Sequence, residues 1–178
     1  MKNILIIFLL ICLFSLSISA DAQSRKRRTP KRSNATAAAK AAAAQQTAAD
    51  LKMGREQVAA QIKTMTRFLY LFAGITKGIE SVDQAARARE ASSVTIEANE
   101  RNKTKVKESI NNIRAGLDKL ESDFRFNETL KKYFPFITGV ARIGTDAESQ
   151  AAANRFDEAG RSLLKAVNQL TDALALMQ

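Results

Sequence analysis

The chain has 178 residues but no histidine, no tryptophan and only one cysteine, Cys12, which lies in an apolar segment near the N-terminus. A catalytic serine or cysteine normally needs an imidazole or a comparable base beside it, and zinc sites are built mainly from cysteine and histidine. Histidine-dependent nucleophilic catalysis and zinc sites of this kind are therefore excluded. A disulfide framework within the chain is excluded as well, because a single cysteine has no partner.

Phosphate-loop and carboxylate chemistry also find little support in the sequence. The glycines of residues 74–78 lack the spacing and the strand-to-helix setting of a phosphate-binding loop. Acidic pairs such as Glu97 and Glu100 stand among lysines and arginines, where solvated ion pairs explain them better than acid–base catalysis does. We therefore expect a protein that is not an enzyme and that uses no metal and no cofactor.

An apolar run over residues 4–18 opens the chain and is followed by Ala20-Asp21-Ala22. A signal peptidase requires small residues at such alternate positions, and the run is shorter than the roughly 20 apolar residues that span a bilayer. We therefore predict a signal peptide over residues 1–22, cleaved after Ala22, and an exported protein that is periplasmic or secreted.

The charges around this run leave a second interpretation open. One lysine precedes the run and six cationic residues follow it, whereas lysine and arginine beside an apolar segment tend to stay on the cytoplasmic side of a membrane. This order favours an uncleaved, inverted anchor whose remaining chain stays in the cytoplasm and contacts nucleic acid.

Residues 23–36 are predicted to form a disordered basic arm. Its cations are Arg25, Lys26, Arg27, Arg28, Lys31 and Arg32. Residues 35–178 hold 21 basic and 17 acidic residues, a net charge of +4, against +10 for the whole chain. A lysine or arginine near an anionic membrane contributes about 1 kcal/mol to binding, so the arm predicts tethering to anionic lipid, lipopolysaccharide or a cell-wall polymer. A solvated tail without a partner is the plainer interpretation.

Nucleic acid is a less favoured partner for this arm. Proteins that bind single strands without sequence preference combine a cationic groove with aromatic side chains on which bases stack. The arm has no aromatic side chain.

Helical patterns dominate residues 37–178. The clearest is an apolar stripe whose members recur every three or four residues, as on one face of an α-helix: Val106, Ile110, Ile113, Leu117, Leu120 and Phe124. Similar stripes run over residues 51–72 and 156–174, and no segment alternates as a half-buried strand does. We therefore predict an all-α fold, an antiparallel bundle of three to four long helices with a short helical insert around residues 127–143. The clearest stripe also suits a homo-oligomeric coiled coil.

Helix boundaries are predicted from glycine, proline and capping residues. Gly74 and Gly78 favour a kink or break in the first helix, with a restart at Ser81. A short helix is predicted from Asn127 to Phe134, because the proline that follows disfavours helical geometry in the residue before it.

Two further boundaries are predicted in the C-terminal part of the chain. A short helix over residues 136–143 is expected to end at Gly144, since glycine is preferred where a helix ends in left-handed geometry. Thr145 and Glu148 have the spacing of a capping box. This spacing predicts that one last helix runs over residues 146–176.

Eight of the nine aromatic residues beyond the predicted signal peptide lie in two segments: Phe68, Tyr70 and Phe72 in the first, and Phe124, Phe126, Tyr133, Phe134 and Phe136 in the second. If the helices bring both segments to one end of the bundle, the rings form either a packed plug or a pocket, because aromatic side chains bury about 150–250 Å² each. A pocket predicts a carrier of an apolar ligand, or a surface that touches a membrane.

These features together predict an exported, non-enzymatic helical interaction protein that its basic arm tethers to an anionic surface. Its helix faces would contact a protein partner or a second copy of the chain. The carrier of an apolar ligand and the inverted anchor are the alternatives.

Overall fold

The computed structural model describes residues 32–178, and the side chains of this region from residue 37 onwards. The predicted signal peptide, its cleavage site and the side chains of the basic arm lie outside the described residues. Residues 39–178 form one compact unit. The described chain contains five α-helices in the order α1 (Arg32–Arg87), α2 (Ser93–Phe126), α3 (Phe134–Ile137), α4 (Val140–Ala152) and α5 (Phe156–Leu176). A short 3₁₀ turn, Lys131–Tyr133, precedes α3.

Helices α1 and α2 run antiparallel to each other. The side-chain amide of Gln57 donates a hydrogen bond to Asp123 Oδ2 at 3.2 Å, and the amide of Asn99 donates to the carbonyl oxygen of Ile79 at 3.3 Å. The earlier residue of α1 thus meets the later residue of α2, and the later meets the earlier, as in a helical hairpin.

The circuit of helices closes through α4 and α5. An ion pair joins Arg114 Nε of α2 to Glu148 Oε2 of α4 at 2.8 Å. Ser162 of α5 donates to Gln150 Oε1 of α4 at 2.9 Å. Gly160 of α5 lies against the ring of a phenylalanine in α1. Four helices therefore pack against one another in up-and-down order, which confirms the all-helical prediction for the described residues.

The stripe predicted on α2 lies inside this bundle. All six of its members are at most 5% exposed. Val58, Met65, Phe72 and Ile79 supply a buried stripe of α1 at seven-residue intervals. Burial of this kind contributes about 25 cal/mol per Å² of apolar surface. Because the stripe of α2 is buried within a single chain, it belongs to the internal core of the bundle.

The predicted break near Gly74 and Gly78 is wrong, because α1 continues without interruption to Arg87. Phe72, Thr76 and Ile79 on the opposite face are buried in the bundle. The packing of residues that precede and follow the glycines in sequence therefore outweighs the weak helical propensity of glycine. This is usual for helices that pack against a core.

The predicted helix from Asn127 to Phe134 is also wrong. The Asn127 side chain accepts the backbone N–H groups of Thr129 at 2.9 Å and Leu130 at 3.1 Å, but it opens a turn instead of an α-helix. Phe134 is the first residue of α3, with a proline in the first turn. Proline suits this position because its missing N–H would have no helical partner there.

Gly144 does not end a helix, contrary to the prediction, since α4 runs through it. A Cβ atom at Gly144 would lie 3.2 Å from the Cα of Arg114, so glycine permits the close approach of α4 to α2. The helix instead begins after Gly139, whose φ of +90° is left-handed.

The predicted capping box at Thr145 and Glu148 is wrong for the same reason, since both residues lie within α4. Thr145 Oγ1 donates to the carbonyl of the residue four positions earlier. The last helix begins only at Phe156, after a turn in which Asn154 has a left-handed φ of 59°. Asparagine tolerates this conformation better than most residues.

Candidate interaction surface

Helix α1 carries a second apolar stripe beside the one that enters the core. Its members step by three and four residues along the helix: Phe68, Leu71, Ile75, Gly78 and Val82. Leu71 is 61% exposed and Ile75 is 42% exposed. Since the core stripe already occupies the inner face of α1, this second stripe borders the outer side of the α1–α2 pair.

Helix α2 supplies the opposite wall with the same spacing: Thr95, Ala98, Asn102, Lys105 and Ser109. Apart from the lysine, these side chains are short, so they do not fill the space in front of the stripe on α1. The two walls enclose an open groove of about 540 Å³. We call this feature the α1–α2 groove.

Gly78 lines this groove and Gly74 lies one turn before it on α1, and nothing in the bundle requires glycine at either position. A Cβ atom at these two positions would meet no atom within 4 Å. At Gly54, Gly116 and Gly160, by contrast, it would lie within 3.2 Å of a neighbouring side chain. Glycine inside a helix costs roughly 0.8–1.0 kcal/mol relative to alanine. The packing of the bundle therefore explains those glycines but not Gly74 and Gly78.

The border of the groove is positively charged. Lys105 lines the α2 wall, and Arg67 lies one turn before Leu71 on α1. Neither cation takes part in an ion pair among the residues whose side chains the structure describes. Glu97, on the outer side of α2, is already paired with Arg101 at 2.5 Å. The two free cations therefore favour an anionic group at this border.

A polar cluster fixes α1 against α2 at one end of the groove. Asp83 Oδ1 accepts hydrogen bonds from the Asn99 amide and from Lys103 Nζ, each at 2.7 Å. Lys103 Nζ also donates to Glu100 Oε1 at 2.8 Å. Burial acts to lower the pKa of the Lys103 ammonium, but its hydrogen bonds and Coulomb attraction to the two carboxylates outweigh this effect and raise the pKa above 10.5. The cluster therefore holds a charged lysine in a structural role.

The raised pKa of Lys103 predicts a loss of stability at high pH. A group whose pKa is higher in the folded state contributes stability that is complete below its unfolded pKa, 10.5, and disappears as the pH rises through the folded pKa. Urea unfolding of the wild type and of Lys103→Met, measured from pH 9 to 12, should show a difference in unfolding free energy that shrinks above about pH 10.5. A difference that stays constant over this range would contradict the role given to the cluster.

The structure does not bring the eight predicted aromatic residues together. Phe68 and Phe72 contact each other with ring centroids 5.0 Å apart. Phe124 lies in the core at the level of Gln57. Since Gln57 and Phe68 are about 16 Å apart along α1, the two aromatic segments stand at different heights in the bundle.

The remaining aromatic residues of the prediction are placed as follows: Tyr70, Phe126 and Phe136 are exposed, Tyr133 and Phe134 are half-buried, and Arg125 lies 5.1 Å from the centroid of the Phe134 ring. Phe68 alone lines the α1–α2 groove. Of the predicted arm cations, Arg25, Lys26, Arg27, Arg28 and Lys31 lie outside the described residues, and Arg32 begins α1 with its side chain not described.

Phe68 is the one groove residue among the pocket candidates predicted from the sequence. The signal was present, because residues 68, 71, 75, 78 and 82 follow the same spacing as a core stripe. Residues 67–79 are apolar on several faces at once, a pattern that suits a buried helix as well as one covered by a partner. The small residues of α2 gave no signal, because the sequence does not show which helix faces them.

Within residues 32–178 no cluster of cysteine, aspartate or glutamate is arranged to hold a metal ion. None of the helices in this part of the chain has an apolar stretch that would cross a membrane. No family model, no curated protein and no solved structure matches the chain. Function must therefore be inferred from the residues and their geometry.

Proposed function

We propose that this protein is an exported, non-enzymatic interaction protein that its basic arm holds on an anionic surface. The α1–α2 groove is the observation that supports the interaction role. Leu71 and Ile75 remain exposed beside it, whereas the core stripes of α1 and α2 are buried. A contiguous exposed apolar patch is a common feature of interaction sites.

The distribution of charge supports the tether. Six cations stand within residues 25–32, which give this short segment most of the net charge of the chain. The side chains of residues 39–49 are exposed. Among the side chains that the structure describes, from residue 37 onwards, the first hydrogen bond to another element joins Thr129 Oγ1 to Asp50 Oδ2 at 3.4 Å. Alanine dominates residues 39–49, and alanine is the best helix former. This stretch extends about 16 Å and serves as a spacer ahead of the bundle.

Vesicle binding tests the tether. The arm variant replaces the six cations of residues 25–32 with glutamine in the mature chain, residues 23–178. Because each cation contributes about 1 kcal/mol near an anionic membrane, the variant should bind vesicles containing phosphatidylglycerol at least about 100-fold more weakly at low salt. Co-sedimentation measures the affinity, and circular dichroism should show unchanged helicity.

A matched control removes the same charge from the bundle instead. It replaces six exposed cations with glutamine: Lys77, Arg87, Arg89, Arg142, Arg161 and Lys165. This control should lose far less affinity, because its cations do not stand together. Equal binding by the arm variant and the wild type, or an equal loss in both variants, rejects the tether.

A carrier of an apolar ligand is the second candidate function. The volume of the groove, about 540 Å³, lies within the range of small-molecule sites. Native mass spectrometry of freshly purified protein should then show a bound mass of lipid size that Ile75→Glu removes. The absence of such a mass argues against the carrier.

A further inference from the structure

We infer that the α1–α2 groove is the docking site of an amphipathic helix from a partner protein, whose apolar face is flanked by acidic residues. This inference rests on the proposed interaction function and names the site and the chemistry of the partner. The occupant is a third helix that lies along the groove and contacts both α1 and α2.

The shape of the groove suits a helix. Both walls repeat at three- and four-residue steps, so a helix laid between them meets side chains at its own period along the whole contact. Recognition of a helix in a groove uses anchors at positions i, i+3, i+4 and i+7 of the bound helix. Leu71, Ile75 and Val82 provide the apolar contacts for such anchors, and the short side chains of α2 leave room for them.

Gly78 supports a helical occupant, since it lines the groove and the packing of the bundle does not explain it. Glycine lets another backbone approach closely because it has no side chain. Gly74 and Gly78 are one turn apart, and a side chain at either position would meet no atom of the bundle. Both glycines lower the stability of α1 relative to alanine, and no contact within the bundle requires them. A docked helix accounts for Gly78, because its backbone can come closer to α1 here than a side chain at this position would allow.

The charges of the border select the partner. Arg67 and Lys105 have no ion-pair partner among residues 37–178. Lys105 lines the α2 wall of the groove, and Arg67 lies on α1 one turn before Leu71. Acidic residues that flank the apolar face of the bound helix would pair with both. A second copy of this chain in a two-fold contact would instead bring like charges together, which opposes association. An acidic partner therefore fits better than self-association.

Fluorescence anisotropy with two synthetic peptides tests the inference. The probes are labelled 21-residue amphipathic helices with leucine at the a and d heptad positions and either glutamate or lysine at e and g. The protein is the full mature chain carrying the glutamine replacements of the arm variant, so that the arm cannot attract the acidic probe. The glutamate peptide should bind at least tenfold more tightly than the lysine peptide.

Substitutions then locate the binding. Leu71→Glu together with Ile75→Glu should weaken the glutamate peptide at least tenfold. Leu164→Glu with Leu176→Glu is the matched control, since both leucines are half exposed but lie outside the groove, and it should change the affinity less than twofold.

Gly78→Ala separates docking from a merely structural role. It should raise Tm by about 2–4 °C because alanine stabilises the helix, and it should also weaken the glutamate peptide at least threefold because the new methyl group obstructs close approach. A raised Tm with unchanged affinity overturns the role given to this glycine.

Three results overturn the inference. They are equal affinity for both peptides, an affinity that the groove substitutions leave unchanged, and a dimer in sedimentation velocity that the same substitutions dissociate, which would make a second copy the occupant. Vesicle binding of the protein that carries Leu71→Glu and Ile75→Glu together with its native arm distinguishes the docking inference from the proposed tether. If it equals the wild type while peptide binding fails, the docking inference fails and the tether stands.

Discussion

Replacing Phe124 with alanine should lower the free energy of unfolding by about 3–5 kcal/mol. The ring is fully buried and lies at the end of the α2 stripe, in the core of the bundle. Removing it costs both the transfer free energy of the ring and the cavity that remains, because a close-packed interior relaxes only in part. Urea unfolding followed by circular dichroism measures the change.

Phe126→Ala is the matched control for this prediction, since it changes the same residue type two positions along the same helix. Phe126 is 76% exposed, so its replacement should change stability by less than about 0.5 kcal/mol. Similar losses for the two variants would show that the rings share an environment, as the predicted aromatic pocket required, and would contradict the structure.

Replacing Glu121 with alanine should destabilise the protein by about 3 kcal/mol, since hydrogen bonds to charged groups are worth roughly 1.5–3 kcal/mol. Glu121 is buried in α2, and its Oε2 accepts the backbone N–H groups of Gly139 at 3.1 Å and Ala141 at 3.0 Å. Gly139 is the N-cap of α4 and has no side chain of its own to cap the helix. Glu121 therefore caps α4 from another helix, and its charge also suits the positive end of the helix dipole.

Glu121→Gln should recover part of this loss, because the amide oxygen still accepts one or both N–H groups without the charge. Glu128→Ala provides the surface control, since that carboxylate is exposed and should contribute less than about 0.5 kcal/mol. Thermal unfolding of the three variants ranks their stabilities. If Glu121→Ala is as stable as Glu128→Ala, α4 does not depend on this cap.

The sequence predicted the fold class well because its strongest signals are periodic. The stripe from Val106 to Phe124 could only be one face of a helix, and it is buried throughout. The boundaries were predicted less well because local signals compete with packing. Gly144 has the residue type of a helix end, but it is needed for the close approach of two helices. Glu121 caps a helix that starts 19 residues later in the chain, which no local pattern contains.

The groove could not be predicted from the sequence for a different reason. The residues of its α1 wall have the spacing of a core stripe, and only the position of α2 and α5 shows that the core is already complete without them. The role of a glycine is equally ambiguous in the sequence. Gly160 permits close packing, Gly139 adopts a left-handed turn, and Gly78 has no neighbouring atom where its side chain would be. Three-dimensional neighbours distinguish these cases, and the chain alone does not.

The methyl groups of the bundle provide the most direct test of the docking surface. Methyl spectra of ¹³C-labelled arm variant should be recorded while the glutamate-flanked peptide is added. Shift changes are expected at Leu71, Ile75 and Val82, with none at the buried Leu163 and Leu170 of α5. Changes that spread over α5, or that leave the three groove residues unaffected at saturation, would contradict the assignment of the α1–α2 groove as the interaction surface.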